Sequence, residues 1–184
     1  MINTVLFALW FFLPAGIANA SPVFANKIPL LKSWRTPLDF GKSYRGSRIF
    51  GKNKTWRGLL SGVVIATVVL LLQRWLYSHN IWLQTTFTQI NYQTVTLWLG
   101  PLLGAGALLG DALESFIKRQ AGIESGEMWF PFDQIDYIIG GILLSSLVIT
   151  LSPAYNVAIL LVWFGMHLIA SYVGFLLGLK EKPI

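Results

Sequence analysis

The stretch GDALESFIKRQ, Gly110 to Gln120, closes a segment apolar enough to sit in lipid. Its polar residues Asp111, Glu114, Ser115 and Lys118 stand at offsets of zero, three, four and seven. A helix places those offsets on one face. PFDQIDY then adds Asp133 and Asp136, again three apart, at the start of another apolar run. The chain is 54% hydrophobic and 12% charged, with mean hydropathy +0.60. Soluble domains carry about 25% charged residues. This composition therefore predicts an all-α integral membrane protein, with residues 1–184 forming a single transmembrane domain.

A helix crossing about 30 Å of hydrocarbon needs roughly 20 apolar residues. Five candidate spans meet this: Ile2–Ala25 (broken by Pro14 and Pro22), Leu59–Tyr77, Thr94–Ile117, Phe132–Leu151 and Tyr155–Leu179. Ser152-Pro153-Ala154 reads as a tight link between the last two. Ala18-Asn19-Ala20 resembles a signal-peptide cleavage site, but a basic leading region is missing, so the first segment is read as a span.

Nine of the fourteen Lys and Arg fall between Lys27 and Arg57, opposed by Asp39 alone. Basic loops stay cytoplasmic. The loop at about 27–57 and a second at about 119–131, with Lys118 and Arg119 at its start, are therefore placed inside, together with Lys180 and Lys182. His79–Gln93 carries neither Lys nor Arg and is placed outside. The N-terminus is then outside and the C-terminus cytoplasmic. Arg74 is the one misfit, expected to snorkel to the outer interface.

No cysteine is present, which excludes disulfides, thiolate metal sites and cysteine nucleophiles. His79 and His167 are too few and too far apart for a histidine metal site, and His167 reads as a packed core group. In this topology Asp111, Glu114, Asp133 and Asp136 converge near the inner interface, beside the basic loop. A lone Asp at mid-membrane costs about 2.5–3.5 kcal/mol on insertion scales. These carboxylates must be paired, hydrated or bound to a cation. Oxygen donors without His or Cys favour a hard ion, and Mg²⁺ is the usual choice beside phosphates. Lys and Arg nearby suit phosphate oxygens.

The pattern suggests phosphoryl or nucleotidyl transfer between a cytosolic and a lipid substrate. Interfacial salt bridges are the plainer reading of the acids, and headgroup anchoring that of Lys54 and Arg57. RIFGKNKTWRGLLSG, around Lys54, Thr55 and Arg57, superficially resembles a phosphate loop, though the Walker spacing is absent. A small cation- or phosphate-linked transporter is the main alternative, but no repeated half is evident and the acids lie toward one end. A lipid-binding scaffold leaves the aligned acids unexplained.

Four blocks together resemble the archaeal CDP-archaeol synthase family. They are Pro14 with Ala18-Asn19-Ala20 and Pro22; Pro37-Leu38-Asp39-Phe40-Gly41; Lys54-Thr55-Trp56-Arg57-Gly58; and Gly110-Asp111, Ser115, Lys118-Arg119, Pro131 and Asp133-Gln134-x-Asp136. The related bacterial CDP-diglyceride synthases share the Ser-x-x-Lys-Arg opening and an Asp-x-x-Asp close. Their Lys-Asp and His-Gly-Gly elements are missing here from residues 122–130. The resemblance implies that CTP and 2,3-di-O-geranylgeranylglycerol 1-phosphate, an isoprenoid ether lipid phosphate, give a CDP-lipid and pyrophosphate, with Mg²⁺. It implies a multi-pass protein of the cell membrane with its site on the cytoplasmic side. Asp111, Asp133 and Asp136 would hold the metal and, with Lys118, form the catalytic set. Lys54, Thr55, Arg57, Arg119, Arg45, Asp39, Asn19 and Ser115 would contact substrates. No nucleic-acid partner is expected, and homo-oligomerisation is left open.

Overall fold

The first helix runs unbroken from Ile2 to Ala25, through both of its prolines. In the computed structural model, which describes residues 2–26 and 28–178, the order is α1 (Ile2–Ala25), α2 (Pro29–Lys32), β1 (Ser43–Tyr44), β2 (Ser47–Arg48), α3 (Trp56–His79), α4 (Ile81–Thr86), α5 (Leu99–Gln120), α6 (Phe132–Ser145) and α7 (Pro153–Leu176). Lys27, Lys180, Lys182 and the predicted end of the fifth span at Leu179 lie outside the described residues. The protein is helical and multi-pass: α1, α3 and α7 are each long and apolar enough to cross a membrane. Backbone groups in lipid must be satisfied within the protein, which is why such spans are helices.

The expected break at Pro14 is absent for a specific reason. Proline has no N–H, so it frees the carbonyl four residues earlier. That carbonyl belongs to Trp10, and Gln73 of α3 donates its Nε2 to it at 2.5 Å. Gln73 is buried. Gln73→Leu leaves the Trp10 oxygen without that donor and lowers stability by about 1–3 kcal/mol. Unfolding in detergent checks this; a variant as stable as the wild type would remove the explanation.

α1 is the central mast, packed on α3, α5, α6 and α7. Phe7, Phe11 and Phe12 form its buried face. Phe7 meets Tyr155 edge-on at 4.9 Å, and Phe12 lies 5.7 Å from the Trp163 ring. The Trp163 indole N–H donates to the Ala8 carbonyl at 2.9 Å, and the Tyr137 hydroxyl donates to the Trp163 carbonyl at 3.1 Å. These bonds tie α6 and α7 to the mast.

α5 and α6 approach until their backbones touch. A methyl group at Gly106 would sit 2.4 Å from the Gly140 carbonyl oxygen, and one at Gly110 would sit 2.3 Å from that of Asp136. Small residues permit such crossings between membrane helices. Gly100 and Gly104 do the same against α3.

The predicted fourth span is shorter than expected. α6 has 14 residues, about 21 Å of rise, and stops at Ser145 rather than Leu151. The Ser145 and Ser146 hydroxyls donate to the carbonyls of Ile142 and Leu143 at 3.1 and 2.7 Å, and the chain turns there. The link to α7 is therefore residues 146–152, with Ile149 and Leu151 packed against the core. Arg74, expected to snorkel to the outer interface, has its partners in the segment that follows α4. Its guanidinium donates to the carbonyls of Val95 and Gln93, at 2.6 and 3.0 Å, in the segment before α5.

The basic loop is folded rather than open. Its base is pinched where Leu38 N–H meets the Lys54 carbonyl and Trp56 N–H meets that of Thr36. At its tip, Arg45 and Gly46 have φ of 50° and 83° between paired Tyr44 and Ser47. Two positive φ values in a two-residue turn match the twist of a tight hairpin. Tyr44 docks this hairpin on α5, with its ring 6.2 Å from that of Phe116.

Candidate active site

The face of α5 read from the sequence meets the start of α6 under the basic loop. Asp111, Asp133 and Asp136 line one cavity of about 600 Å³ with Lys54, Lys118 and Arg119. A smaller one of about 300 Å³, lined also by Asn19 and Thr55, shares those three aspartates and Lys54. A third of about 690 Å³ is more basic, with Arg35, Lys52 and Arg57 in its wall. Asn53 borders all three.

Two ion pairs span the site. Lys54 Nζ lies 2.6 Å from Asp111 Oδ2, which joins the loop to α5. Lys118 Nζ lies 2.8 Å from Asp133 Oδ1 and donates to the Glu127 carbonyl at 2.5 Å, which joins α5, the following loop and α6. The other Asp133 oxygen accepts from Trp129 N–H at 2.6 Å. Asp136 Oδ1 accepts from the N–H of Tyr137. Ser115 is buried in the same wall.

Other expected contacts are turned toward the protein. The Thr55 hydroxyl accepts from Gly58 N–H and so caps α3. Arg57 donates to the carbonyls of Leu31 and Lys32 and to Asn26 Oδ1, holding α2 and the end of α1. Gly58 and Trp56 N–H are both taken, which reduces the anion-binding capacity expected of this helix start. Arg45 is exposed at the hairpin tip, 5.4 Å above the Tyr44 ring, and borders none of the three cavities.

Asp39 also lies outside those cavity walls, and its side chain is 0% exposed. It accepts from Gly41, Phe50 and Gly51 N–H at 2.9 to 3.2 Å and from Arg48 at 2.5 Å. Its place is the centre of the loop fold. Burial alone raises its pKa, but the Arg48 bond and the backbone donors outweigh burial and hold it below the ordinary carboxylate value of 3.8. A depressed folded-state pKa contributes stability above the unfolded value, lost as pH falls through the folded one. The loop should therefore stay closed through the neutral range and loosen only below about pH 4. Asp39→Asn should loosen it at neutral pH, read as faster tryptic cleavage at Arg45 or Arg48. Equal cleavage in variant and wild type would contradict this role.

Sequence reading missed Asn53 and the cavity position of His167, and named Gln134 only within the Asp133-Gln134-x-Asp136 block. His167 lines the first two cavities, with its ring 5.8 Å from that of Tyr137. A solitary polar residue on an apolar helix, or in a loop rich in charge, gives no periodic signal.

Among the described residues, no group of three or more His, Asp or Glu forms a ready metal cage. The donor chemistry nonetheless suits a hard cation: the cavity presents carboxylates and no thiolate. Glu114 Oε1 and Gln134 Oε1 are buried there without hydrogen-bond partners. Lys54 and Lys118 hold two of the three aspartates.

A family profile described as CarS-like, CDP-archaeol synthase, matches residues 1–184. The chain belongs to the CDP-archaeol synthase family. The CDP-archaeol synthase of Pyrobaculum aerophilum is 33% identical over 182 residues, 98% of each chain. That of Thermococcus gammatolerans is 36% identical over 183 residues, 99% of this chain and 98% of its own. A solved structure described as an intramembrane enzyme for archaeal membrane lipids biosynthesis aligns with a TM-score of 0.70 at 33% identity, over 90% of this chain and 93% of that one. Nothing in these matches supports the transporter reading. In this CDP-archaeol synthase family member, the last two sequence blocks that carried the resemblance supply Lys54, Asp111, Lys118, Asp133 and Asp136 to one cavity.

Proposed function

We propose that the protein is a CTP-dependent cytidylyltransferase. It converts CTP and 2,3-di-O-geranylgeranylglycerol 1-phosphate to the CDP-lipid and pyrophosphate. The observation that carries this reading is the cavity shared by Asp111, Asp133 and Asp136 with Lys54, Lys118 and Arg119, in a multi-pass chain of this family. The proposed topology has five crossings, the N-terminus outside and the basic loop, the site and the C-terminus cytoplasmic.

An oxygen of the lipid phosphate attacks the α-phosphorus of CTP. The new P–O bond forms as the α–β bridging bond breaks, and the electron pair leaves with pyrophosphate. Both reactants are anions, so the barrier lies largely in their repulsion and alignment. A phosphate monoester is already an oxyanion near neutral pH, its second pKa being about 6, and no strong base is needed. Asp111, Asp133 and Asp136 would hold Mg²⁺, which supplies charge neutralisation for the triphosphate when bound. Lys54 and Arg119, at the cavity wall, offer donors to phosphate oxygens. Arg35 and Lys52 extend that positive surface into the adjoining cavity. Asn19 and Ser115 remain candidate polar contacts, and Thr55 and Arg57 support the wall through their own protein bonds.

The test is purified protein with labelled CTP, Mg²⁺ and either ether or ester lipid phosphate. Pyrophosphate release that requires the lipid is expected. Release without lipid, or none with either lipid, would overturn the proposal.

A further inference from the structure

Glu114 stands apart from the groups given a role so far. It is on α5, one turn before Lys118, and its side chain is 8% exposed. Its Oε1 is buried 3.7 Å from Lys118 Nζ with no N–H donor bonded to it, and the Glu114 carboxyl lies against that of Asp133. Orphaned buried carboxylate oxygens are rare, because desolvation must be compensated. Lys118 is 7% exposed and holds Asp133 at 2.8 Å instead. One ammonium therefore lies between two carboxylates, bonded to one and just outside bonding distance of the other.

We propose that Glu114 is a positioning residue, a reserve counterion that takes the Lys118 ammonium when Asp133 turns to a divalent cation. This rests on the function proposed above. If Asp133 left Lys118 with no substitute, a buried ammonium would keep only the Glu127 carbonyl, which is strongly unfavourable. Glu114 lies on the same helix at the i,i+4 spacing, with the acid N-terminal to the base, the favourable order. A small side-chain adjustment brings the pair from 3.7 Å to bonding distance, and the charge on Lys118 stays neutralised throughout. Asp133 is released without unfolding the α5–α6 junction, because its second oxygen remains with Trp129 N–H.

The test measures Mn²⁺ binding by the loss of free-ion electron paramagnetic resonance, at saturating CTP, in the full chain. Glu114→Gln keeps the shape and removes the charge. It should weaken Mn²⁺ binding about tenfold, the scale of a lost outer partner of a metal ligand. Glu114→Asp should recover part of the loss. In a Lys118→Met background, which has no ammonium to receive, Glu114→Gln should change little; a merely structural role would give the same loss in both backgrounds. Thermal melts establish that each variant is folded, and should the lysine variant not fold, recovery of Mn²⁺ binding in Glu114→Asp but not in Glu114→Gln makes the distinction, equal loss in both overturning the proposal. Wild-type affinity in Glu114→Gln would overturn the proposal while leaving the proposed reaction standing. Absence of CTP-dependent Mn²⁺ binding in the wild type would overturn the metal reading and this inference together.

Discussion

Asp136→Asn should lower turnover by roughly 100-fold or more while the protein still inserts and melts near the wild-type temperature. Asp136 lines both acidic cavities and lies where α6 crosses Gly110 of α5. Its hydrogen bond to Tyr137 N–H can be kept by an amide oxygen, so the fold loses little. What is lost is a carboxyl group able to ligate a hard cation at the site where two anions must meet. Asp133→Asn should be equally damaging to turnover, but it is a less clean test. It removes the nearest counterion of Lys118, and breaking a largely buried pair is itself destabilising. Steady-state rates at several Mg²⁺ concentrations, with a melt on the same sample, separate the two effects. A folded Asp136→Asn protein with near-normal turnover would remove the acidic residues from the chemistry.

The second large effect is steric. Gly140→Ala places a methyl 2.2 Å from the Gly106 carbonyl oxygen and 2.8 Å from Gly110 Cα. Both obstacles are backbone, so no side chain can swing aside. Overpacking of this kind costs about 1–3 kcal/mol or more. It must also push α5 from α6, carrying Asp111 away from Asp133 and Asp136. We expect a lower unfolding temperature and a loss of turnover larger than the stability change alone explains. Gly165→Ala is the control, since a methyl there meets nothing within 4 Å. If Gly140→Ala matches that control in both measurements, the close crossing is not what aligns the carboxylates.

The helices were legible because lipid imposes length and apolarity, and α1, α3 and α7 follow that rule within a few residues. Their details were not, because they depend on partners distant in sequence. Pro14 reads as a break until Gln73, fifty-nine positions on, is seen to occupy the freed carbonyl. The apolar run through Leu151 reads as one span, yet Ser145 and Ser146 turn it early. The same limit holds at the site. Helical spacing placed Asp111, Glu114, Ser115 and Lys118 on one face, and they do line one cavity. Charge alone could not say which cations hold protein and which face the cavity. Asp39 and Arg57, substrate contacts in what the resemblance implies, have partners that fold the basic loop and its neighbours, and Arg57 also borders the basic cavity. His167 carried no pattern at all.

The most direct test of the central claim is a structure solved with CTP and Mn²⁺, with the ion located by its anomalous scattering. The account predicts a peak bounded by Asp111, Asp133 and Asp136, with nucleotide phosphates on the Lys54 side. A peak outside that cavity, with those three side chains left on Lys54, Lys118 and the backbone, would contradict it.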